Sequence, residues 1–188
     1  VSAASFLSGR VSPESLVSGF GPNLSLTTQA ATTLPLPTAL GGVSILVRDS
    51  LGAEREAPLL FVSAGQINYQ IPAGTAPGEA TVSVRWNGST VAQGALQVAA
   101  VAPALFAANA SGSGFAAAQA VRAAEGGSQT IAAVAEYDAA SRRYVANPVD
   151  VSGDDVVLVL YGQGVRFASG VTATVGGEPA DVLFAGAQ

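Results

Sequence analysis

The clearest pattern along the chain is a two-residue alternation of apolar and polar positions in short stretches. In one of them, Val43, Ile45 and Val47 fall on one face, whereas Arg48 falls on the other. Successive side chains of a β-strand point to opposite faces of a sheet. This stretch is therefore predicted to form a strand with one buried face.

Two neighbouring regions repeat the pattern. Residues 66–71 alternate up to Pro72, which ends the ladder because proline has no N–H. Residues 80–100 predict a hairpin, since alternating stretches flank the turn sequence Asn87-Gly88. The predicted core of this first region consists of Val43, Ile45, Val47, Ile67, Tyr69, Ile71, Val82, Val84, Trp86, Leu96 and Val98.

Residues 101–150 give a weaker signal. An alanine-rich stretch, residues 116–125, has helical propensity, but glycines bracket it closely and we favour a strand over a helix there. Residues 130–136 and 143–149 predict further β-structure around a turn at residues 138–141.

The chain contains an internal repeat. Residues 14–24 and 155–165 share an acidic residue, an apolar run, an aromatic residue, a glycine and a turn. The match continues with residues 42–47 against 170–175 and residues 58–63 against 180–185. The second copy has no counterpart of the strand at residues 66–71 or of the hairpin that follows it, so it is predicted to be incomplete.

The residue types that are absent exclude many chemistries. The chain has no Cys, His or Met, and all 8 basic residues are Arg. Without Cys or His there is no disulfide framework, thiolate nucleophile, Ser-His triad or imidazole metal site. Without Lys there is no Schiff base and no Lys–Asn isopeptide crosslink. We therefore expect a protein that is not an enzyme and needs no cofactor.

Charge and hydropathy narrow the possible partners. The net charge of −5 argues against nucleic acid, whose recognition begins with clustered basic residues. Glycine and proline interrupt every long uncharged stretch, so no membrane span is expected. The first residue is Val1 and not Met, which fits a secreted product without its signal peptide, or an excerpt of a longer chain.

Two groups of carboxylates are candidate sites. Asp150, Asp154 and Asp155 are candidate Ca²⁺ ligands, but they lack the spacing of a calcium loop, and a turn is the favoured interpretation. Glu54 and Glu56 resemble a glycosidase pair only in their proximity, and alternating charges are usual on a soluble surface. We therefore predict no catalytic, cofactor-binding or metal-binding residues.

An ordered set of motifs resembles a known family. The motifs are Phe20-Gly21-Pro22-Asn23-Leu24, residues 34–43, residues 65–72, residues 102–106, Tyr161-Gly162-Gln163-Gly164 and residues 175–180. Together they resemble the Solibacter-type C-terminal domain family of large extracellular proteins from Acidobacteria, which is similar to the immunoglobulin-like IPT/TIG folds. The resemblance implies a secreted or cell-surface β-sandwich and supplies no active site. The chain departs from the family at its end, where the family continues into a second Gln-x-Asn strand.

The pattern and the resemblance together predict an all-β chain in three parts. Residues 1–100 are expected to form an immunoglobulin-like β-sandwich, and residues 101–150 a β-rich connector. Residues 151–188 are expected to supply the first strands of a second, truncated immunoglobulin-like unit.

The expected function is that of an extracellular structural module, a subunit of a surface filament built by strand donation. An incomplete unit exposes apolar strand faces, and another chain can cover them by adding a strand. The candidate acceptor residues are Val156, Leu158, Val171, Val175, Val182 and Phe184, and the candidate donor residues are Val1, Ala3, Phe6 and Leu7. The partners are then further copies of the chain, or neighbouring domains if the chain is an excerpt.

The alternative is a cell-surface adhesion module that binds a glycan or a protein through its loops. An exposed Trp86 would provide a stacking platform for a sugar. Its phase with Val82 and Val84 instead predicts a place in the core.

Overall fold

The computed structural model describes residues 1–123, 127–152 and 155–186. Every secondary-structure element in these residues is a strand, so the described part of the chain is all-β, as predicted. In chain order they are β1 (Arg10–Val11), β2 (Leu16–Phe20), β3 (Gln29–Ala30), β4 (Ala39–Leu40), β5 (Val43–Arg48), β6 (Glu54–Glu56), β7 (Leu59–Val62), β8 (Gln66–Gln70), β9 (Gly78–Trp86), β10 (Ser89–Val98), β11 (Ala104–Leu105), β12 (Ala118–Ala123), β13 (Gln129–Ala133), β14 (Ala135–Asp138), β15 (Arg143–Ala146), β16 (Asp155–Leu160), β17 (Gly162–Gln163), β18 (Ala173–Val175) and β19 (Glu178–Ala180).

The chain forms two compact units. Unit 1 contains Val1–Ala3, Ser8–Pro103 and the chain from Gly164 onwards, and unit 2 contains Ala4–Leu7 and Ala104–Gln163. The domain boundaries expected after residues 100 and 150 stay predictions.

Unit 1 is built on two sheets. One has the order β2-β8-β7-β3 and is antiparallel throughout. The other has the order β1-β10-β9-β5-β4, with β6 also paired to β5, and only β1 runs parallel to its neighbour. Strands β18 and β19 form a separate hairpin.

Side chains from both large sheets form one hydrophobic core. The predicted core residues of β5, β8 and β9 are confirmed as buried, with Trp86 and Leu96 only half-buried and packed against the cluster. Leu59, Val62 and Ala57 are further members of the core and are fully buried. The alternating pattern identified the inward faces, because every second side chain of a strand points to the same face of its sheet and only one face contacts the core. The immunoglobulin-like arrangement of the strands stays a prediction.

Two turns set the register around β9. Asn87 and Gly88 join β9 to β10 with φ angles of 46° and 86°, the left-handed conformation that a tight hairpin turn needs. At the start of β9, Gly78 has φ 125°, and an added Cβ would lie 2.7 Å from the Ser50 Cβ. Only glycine fits this position, so the close approach fixes where β9 begins.

Unit 2 contains a three-stranded sheet, β13-β12-β16, and the hairpin β14–β15. The favoured strand at residues 116–125 is confirmed over Ala118–Ala123, while Ala124 and Glu125 lie outside the described residues. The turn expected at residues 138–141 joins β14 to β15, and the rings of Tyr137 and Tyr144 meet edge to face at 5.8 Å across this hairpin.

The two copies of the internal repeat differ in their strand partners. In the first copy β2 pairs with β8, whereas the matching strand β16 pairs with β12. The strand expected at residues 182–184 is not formed, and this prediction was wrong. Its counterpart β7 is held between β8 and β3, and residues 181–186 have no such neighbours among the described residues.

Candidate functional site

An open groove runs along one side of unit 1, between strand β2 of one sheet and strand β10 of the other. We call it the edge groove, and its volume is about 300 Å³. Its floor consists of the core side chains Ile45, Ile67, Tyr69, Val82 and Val84, and its walls include residues 17–20 and 92–96. No charged side chain lines it, so it suits apolar side chains.

Tyr69 lies on the floor of the edge groove and is buried. Burial raises the pKa of its phenol, because the interior disfavours the charged form. The ring stays neutral at physiological pH and acts as part of an apolar surface.

The N-terminal residues cover part of the β2 edge. Ser2 forms an antiparallel bridge to Val17. Ala3 N donates to Leu16 O at 3.0 Å, and Ser18 N donates to Val1 O at 3.0 Å. These bonds continue the sheet by a short extra strand and satisfy main-chain groups that an edge would otherwise expose.

Strand β10 is covered only at its end. β1 pairs with Gln97 and Val98, and no other strand of the described chain lies on that side of β10. The ladder between β9 and β10 is irregular at Val91, where the register shifts. The stretch Ala92 to Leu96 is therefore a regular strand edge with free main-chain groups beside the edge groove.

The four predicted donor residues lie in different surroundings. Val1 and Ala3 belong to unit 1 and are half-buried against β2. Phe6 and Leu7 belong to unit 2 and are exposed. In this structure the first three residues pair with their own chain, so donation to another copy requires an exchange of this pairing.

The predicted acceptor residues are mostly exposed. Val156 is half-buried and Leu158 is exposed, both on β16. Val171 precedes β18 and Val175 ends it, while Val182 and Phe184 follow β19 in irregular structure, and all four are exposed. Val156 and Leu158 belong to unit 2, and the other four residues belong to unit 1.

The carboxylates considered as metal ligands have local partners. Asp150 Oδ1 accepts hydrogen bonds from the backbone and the hydroxyl of Ser152, which lower the Asp150 pKa. Asp154 lies outside the described residues, and Asp155 begins β16. Within the three described ranges, no three carboxylates cluster as they would around a metal ion.

Asp49 is a buried carboxylate that the sequence did not single out. Its Oδ1 accepts hydrogen bonds from the N–H groups of Leu51 and Ala53, at 3.0 Å each. Its Oδ2 accepts from the N–H of Ala76 at 3.1 Å and from Arg55 Nη1 at 2.7 Å. These donors, led by Ala76, hold the Asp49 pKa below its ordinary value. Asp49 thus ties the turn after β5 to the loop before β9, which is a structural role.

The carboxylate pair on β6 is not arranged around a pocket. Glu54 and Glu56 are exposed, and Arg55 between them turns to Asp49.

The sequence signal for the role of Asp49 is the turn that follows it. An Asp before a turn often accepts hydrogen bonds from the N–H groups of the next residues.

Comparison of the chain with family models, with curated proteins and with solved structures finds no match in any of the three. No helix in the part of the chain that the structure describes is long and apolar enough to cross a membrane.

Proposed function

We propose that the chain is a non-enzymatic, extracellular structural module whose copies associate by strand donation. The extracellular location rests on the motifs at residues 20–24 and 65–72, which resemble secreted acidobacterial modules. The structural role rests on the absence of Cys, His and Lys together with the strand-rich fold.

The observation that carries the proposal is the exposure of apolar side chains on and after the strands of the second repeat copy. Leu158 and Leu160 on β16 are each 47% exposed, and Val175 and Phe184 are more exposed still. Apolar side chains on strands that lack a covering layer mark surfaces for association. In the first copy the equivalent strands β2 and β7 pair with β8, and β5 pairs with β9.

The N-terminal segment, residues 1–7, is the proposed donor. It carries no charged side chain, and its first three residues already add to a strand edge by main-chain hydrogen bonds. A donated strand uses the same main-chain bonds and inserts alternate side chains into an acceptor. Donation from head to tail is heterologous and yields an open filament unless a ring closes.

The test compares two leucine variants by light scattering and electron microscopy. Leu7→Asp places a charge in the donor segment, and Leu26→Asp is the matched control, because these side chains are 69% and 75% exposed in the single chain. Both variants are expected to fold, since neither side chain is in the core. We expect the unchanged chain and Leu26→Asp to form polymers, and Leu7→Asp to remain small.

Deletion of residues 1–7 is a second test of the same idea. It removes the donor completely, but also the pairing of Ser2 with Val17, so its folding must be checked by Trp86 fluorescence. A stable monomer of the unchanged chain, or a polymer that survives both changes, would contradict strand donation.

A second candidate function is recognition of a glycan at a small cleft of about 140 Å³ in unit 1. Half-buried Trp86 lines it together with Asn23, Leu26 and Val91. An indole face beside an amide is a common arrangement for stacking and hydrogen bonding to a sugar. Titration with oligosaccharides should quench or shift Trp86 fluorescence, and an unchanged spectrum across glycans of several classes would argue against it.

A further inference from the structure

The turn between β9 and β10 contains the only Asn-Gly sequence of the chain, Asn87-Gly88. Both residues are exposed, and both have positive φ angles. Within the described ranges of the chain, neither the Asn87 side chain nor the Gly88 N–H forms a hydrogen bond. The side-chain amide and the main-chain nitrogen that follows it are therefore both free to react.

These two groups can react with each other. The Gly88 nitrogen attacks Cγ of Asn87, so a C–N bond forms, the Cγ–Nδ2 bond breaks, and ammonia leaves with the proton of the attacking N–H. Water then opens the cyclic imide at one of its two carbonyl groups. The product is aspartate, or isoaspartate when the main chain continues through the former side-chain carbonyl. Glycine favours the attack, because no Cβ shields its nitrogen.

Asn23 is the matched comparison for Asn87. It is also exposed, and its φ angle of 56° is close to the 46° of Asn87. The nitrogen that follows it belongs to buried Leu24 and donates to Ala64 O at 3.0 Å. A nitrogen held in this way must leave its hydrogen bond before it can attack. Asn23 therefore has the same backbone conformation without the free nucleophile.

The other three asparagines also lack a free nitrogen. Asn68 lies on β8, which pairs with a strand on each side. The N–H that follows Asn109 donates to Ala107 O at 2.9 Å. Asn147 is followed by Pro148, which has no N–H. Among the described residues, the β9–β10 turn is thus the one place where an asparagine precedes an unbound N–H.

We propose that Asn87 is a site of spontaneous covalent modification, at which the folded chain converts asparagine into aspartate and isoaspartate. The reaction consumes water and needs no enzyme or cofactor. It goes beyond the proposed function, because it involves neither residues 1–7 nor the second repeat copy. The two proposals can therefore fail independently.

The two products affect the hairpin differently. Aspartate tolerates the left-handed conformation of the turn and adds a negative charge at its tip. Isoaspartate lengthens the main chain within a turn that joins the paired residues Trp86 and Ser89. It is expected to disturb this pair and the pairing of Trp86 with Val43 of β5. The modification therefore changes the surroundings of Trp86, which lines the small cleft.

The experiment follows all the asparagines during incubation of the folded chain in mildly alkaline buffer. Trypsin cleaves after arginine, and mass spectrometry of the peptides locates each converted amide. Asn87 and Asn109 share one peptide, residues 86–122, and are therefore compared directly. We expect Asn87 to convert about tenfold or more faster than Asn109 or Asn23, whose following nitrogens must first leave a hydrogen bond. Asparagines that convert at equal rates overturn the proposal.

The chain unfolded in urea separates the effect of the turn from that of the sequence. There the glycine alone makes Asn87 reactive. We expect conversion at Asn87 in the folded chain as well as in urea. Conversion in urea without conversion in the folded chain means that the turn protects Asn87, and this result overturns the proposal.

Two variants identify the source of the acidic product. Asn87→Gln reacts far more slowly because its ring is larger, and Asn23→Gln is the matched control at a second left-handed position. The folding of both is checked by Trp86 fluorescence. Ion-exchange chromatography should show that the acidic species forms in the unchanged chain and in Asn23→Gln but not in Asn87→Gln, with Asn87→Asp as the standard. An acidic species that still forms in Asn87→Gln overturns the assignment.

Discussion

Leu59 offers the sharpest test of how β7 is placed in unit 1. It is 0% exposed and lies opposite Tyr69 of β8, whereas the next residue, Leu60, is 36% exposed. The ladder between β7 and β8 shifts its register between Leu59 and Phe61, so Leu60 is the extra residue and only Leu59 is expected to face the core. Truncation of each leucine to alanine therefore reports which of them faces the core.

The size of the effect follows from burial. A fully buried leucine that is changed to alanine destabilises a protein by about 2.7–5.0 kcal/mol, which includes the cavity that remains. Because β7 is held by β8 and β3 on its two sides, the backbone has little freedom to close the cavity. We therefore expect about 4 kcal/mol for Leu59→Ala, in the upper half of this range. For Leu51→Ala, at 84% exposure, we expect a change within about 0.5 kcal/mol.

Urea unfolding followed by Trp86 fluorescence measures these differences. Trp86 is the only Trp of the chain and packs against the core of unit 1, so its fluorescence reports the unfolding of this unit. With a slope of about 2 kcal/mol/M, the midpoint of Leu59→Ala should fall by about 2 M. Leu51→Ala is the matched control and should unfold with the unchanged chain.

The reasoning is refuted if Leu59→Ala shifts the midpoint no further than Leu51→Ala. If Leu60→Ala is instead the damaging variant, the strand is displaced by one residue and Leu60 faces the core. A change in the slope without a change in the midpoint would indicate an altered unfolded state, and the comparison would then be repeated by thermal unfolding.

Three further predictions concern single residues and metal ions. Hydrogen bonds hold the Asp49 pKa below its ordinary value of 3.8. The Asp49 carboxylate therefore stabilises the fold above that pH, and this stabilisation is lost as the pH falls through the lower pKa of the folded state. Asp49→Asn should therefore lower the midpoint of urea unfolding at neutral pH, and the midpoint of this variant should change less as the pH falls. A midpoint that falls in acid as steeply as that of the unchanged chain would contradict this. Gly78→Ala should destabilise the protein by about 1–3 kcal/mol in urea unfolding, because φ is positive and Ser50 blocks the Cβ, whereas Gly65→Ala should not. Chelation with EDTA should leave the melting temperature unchanged, and a fall that Ca²⁺ reverses would point to Asp150, Asp154 and Asp155.

Much of the fold could be read from local pattern. Strands β5, β8, β9 and β10 were predicted within a few residues, because each carries an alternating face or a turn of restricted conformation. The strand at Ala118–Ala123 was harder, since alanine packs in strands and helices alike and only the flanking glycines favoured a strand. The strand expected at residues 182–184 failed because apolar sequence forms a strand only where a neighbour supplies hydrogen bonds.

The candidate sites were less accessible to sequence reasoning. The donor and acceptor residues were chosen from apolar pattern alone, which does not tell which strand edges remain free. The edge groove depends on β2 and β10, which are far apart in the chain and lie on different sheets. Asp49 also depends on distant contacts, since one of its four donors, Ala76, comes from another loop.

The sequence by itself determined the strand-rich class, the inward faces of the core strands and the exclusion of thiol, imidazole and amine chemistry. These properties follow from side-chain period and residue type, which are local. Only the tertiary structure decided that β12 pairs with β16, that Val1–Ala3 cover part of β2, and that Ala92 to Leu96 remain an open edge. Strand pairing depends on main-chain hydrogen bonds, which every residue can accept and every residue except proline can donate. The sequence pattern therefore carries little information about which strands pair.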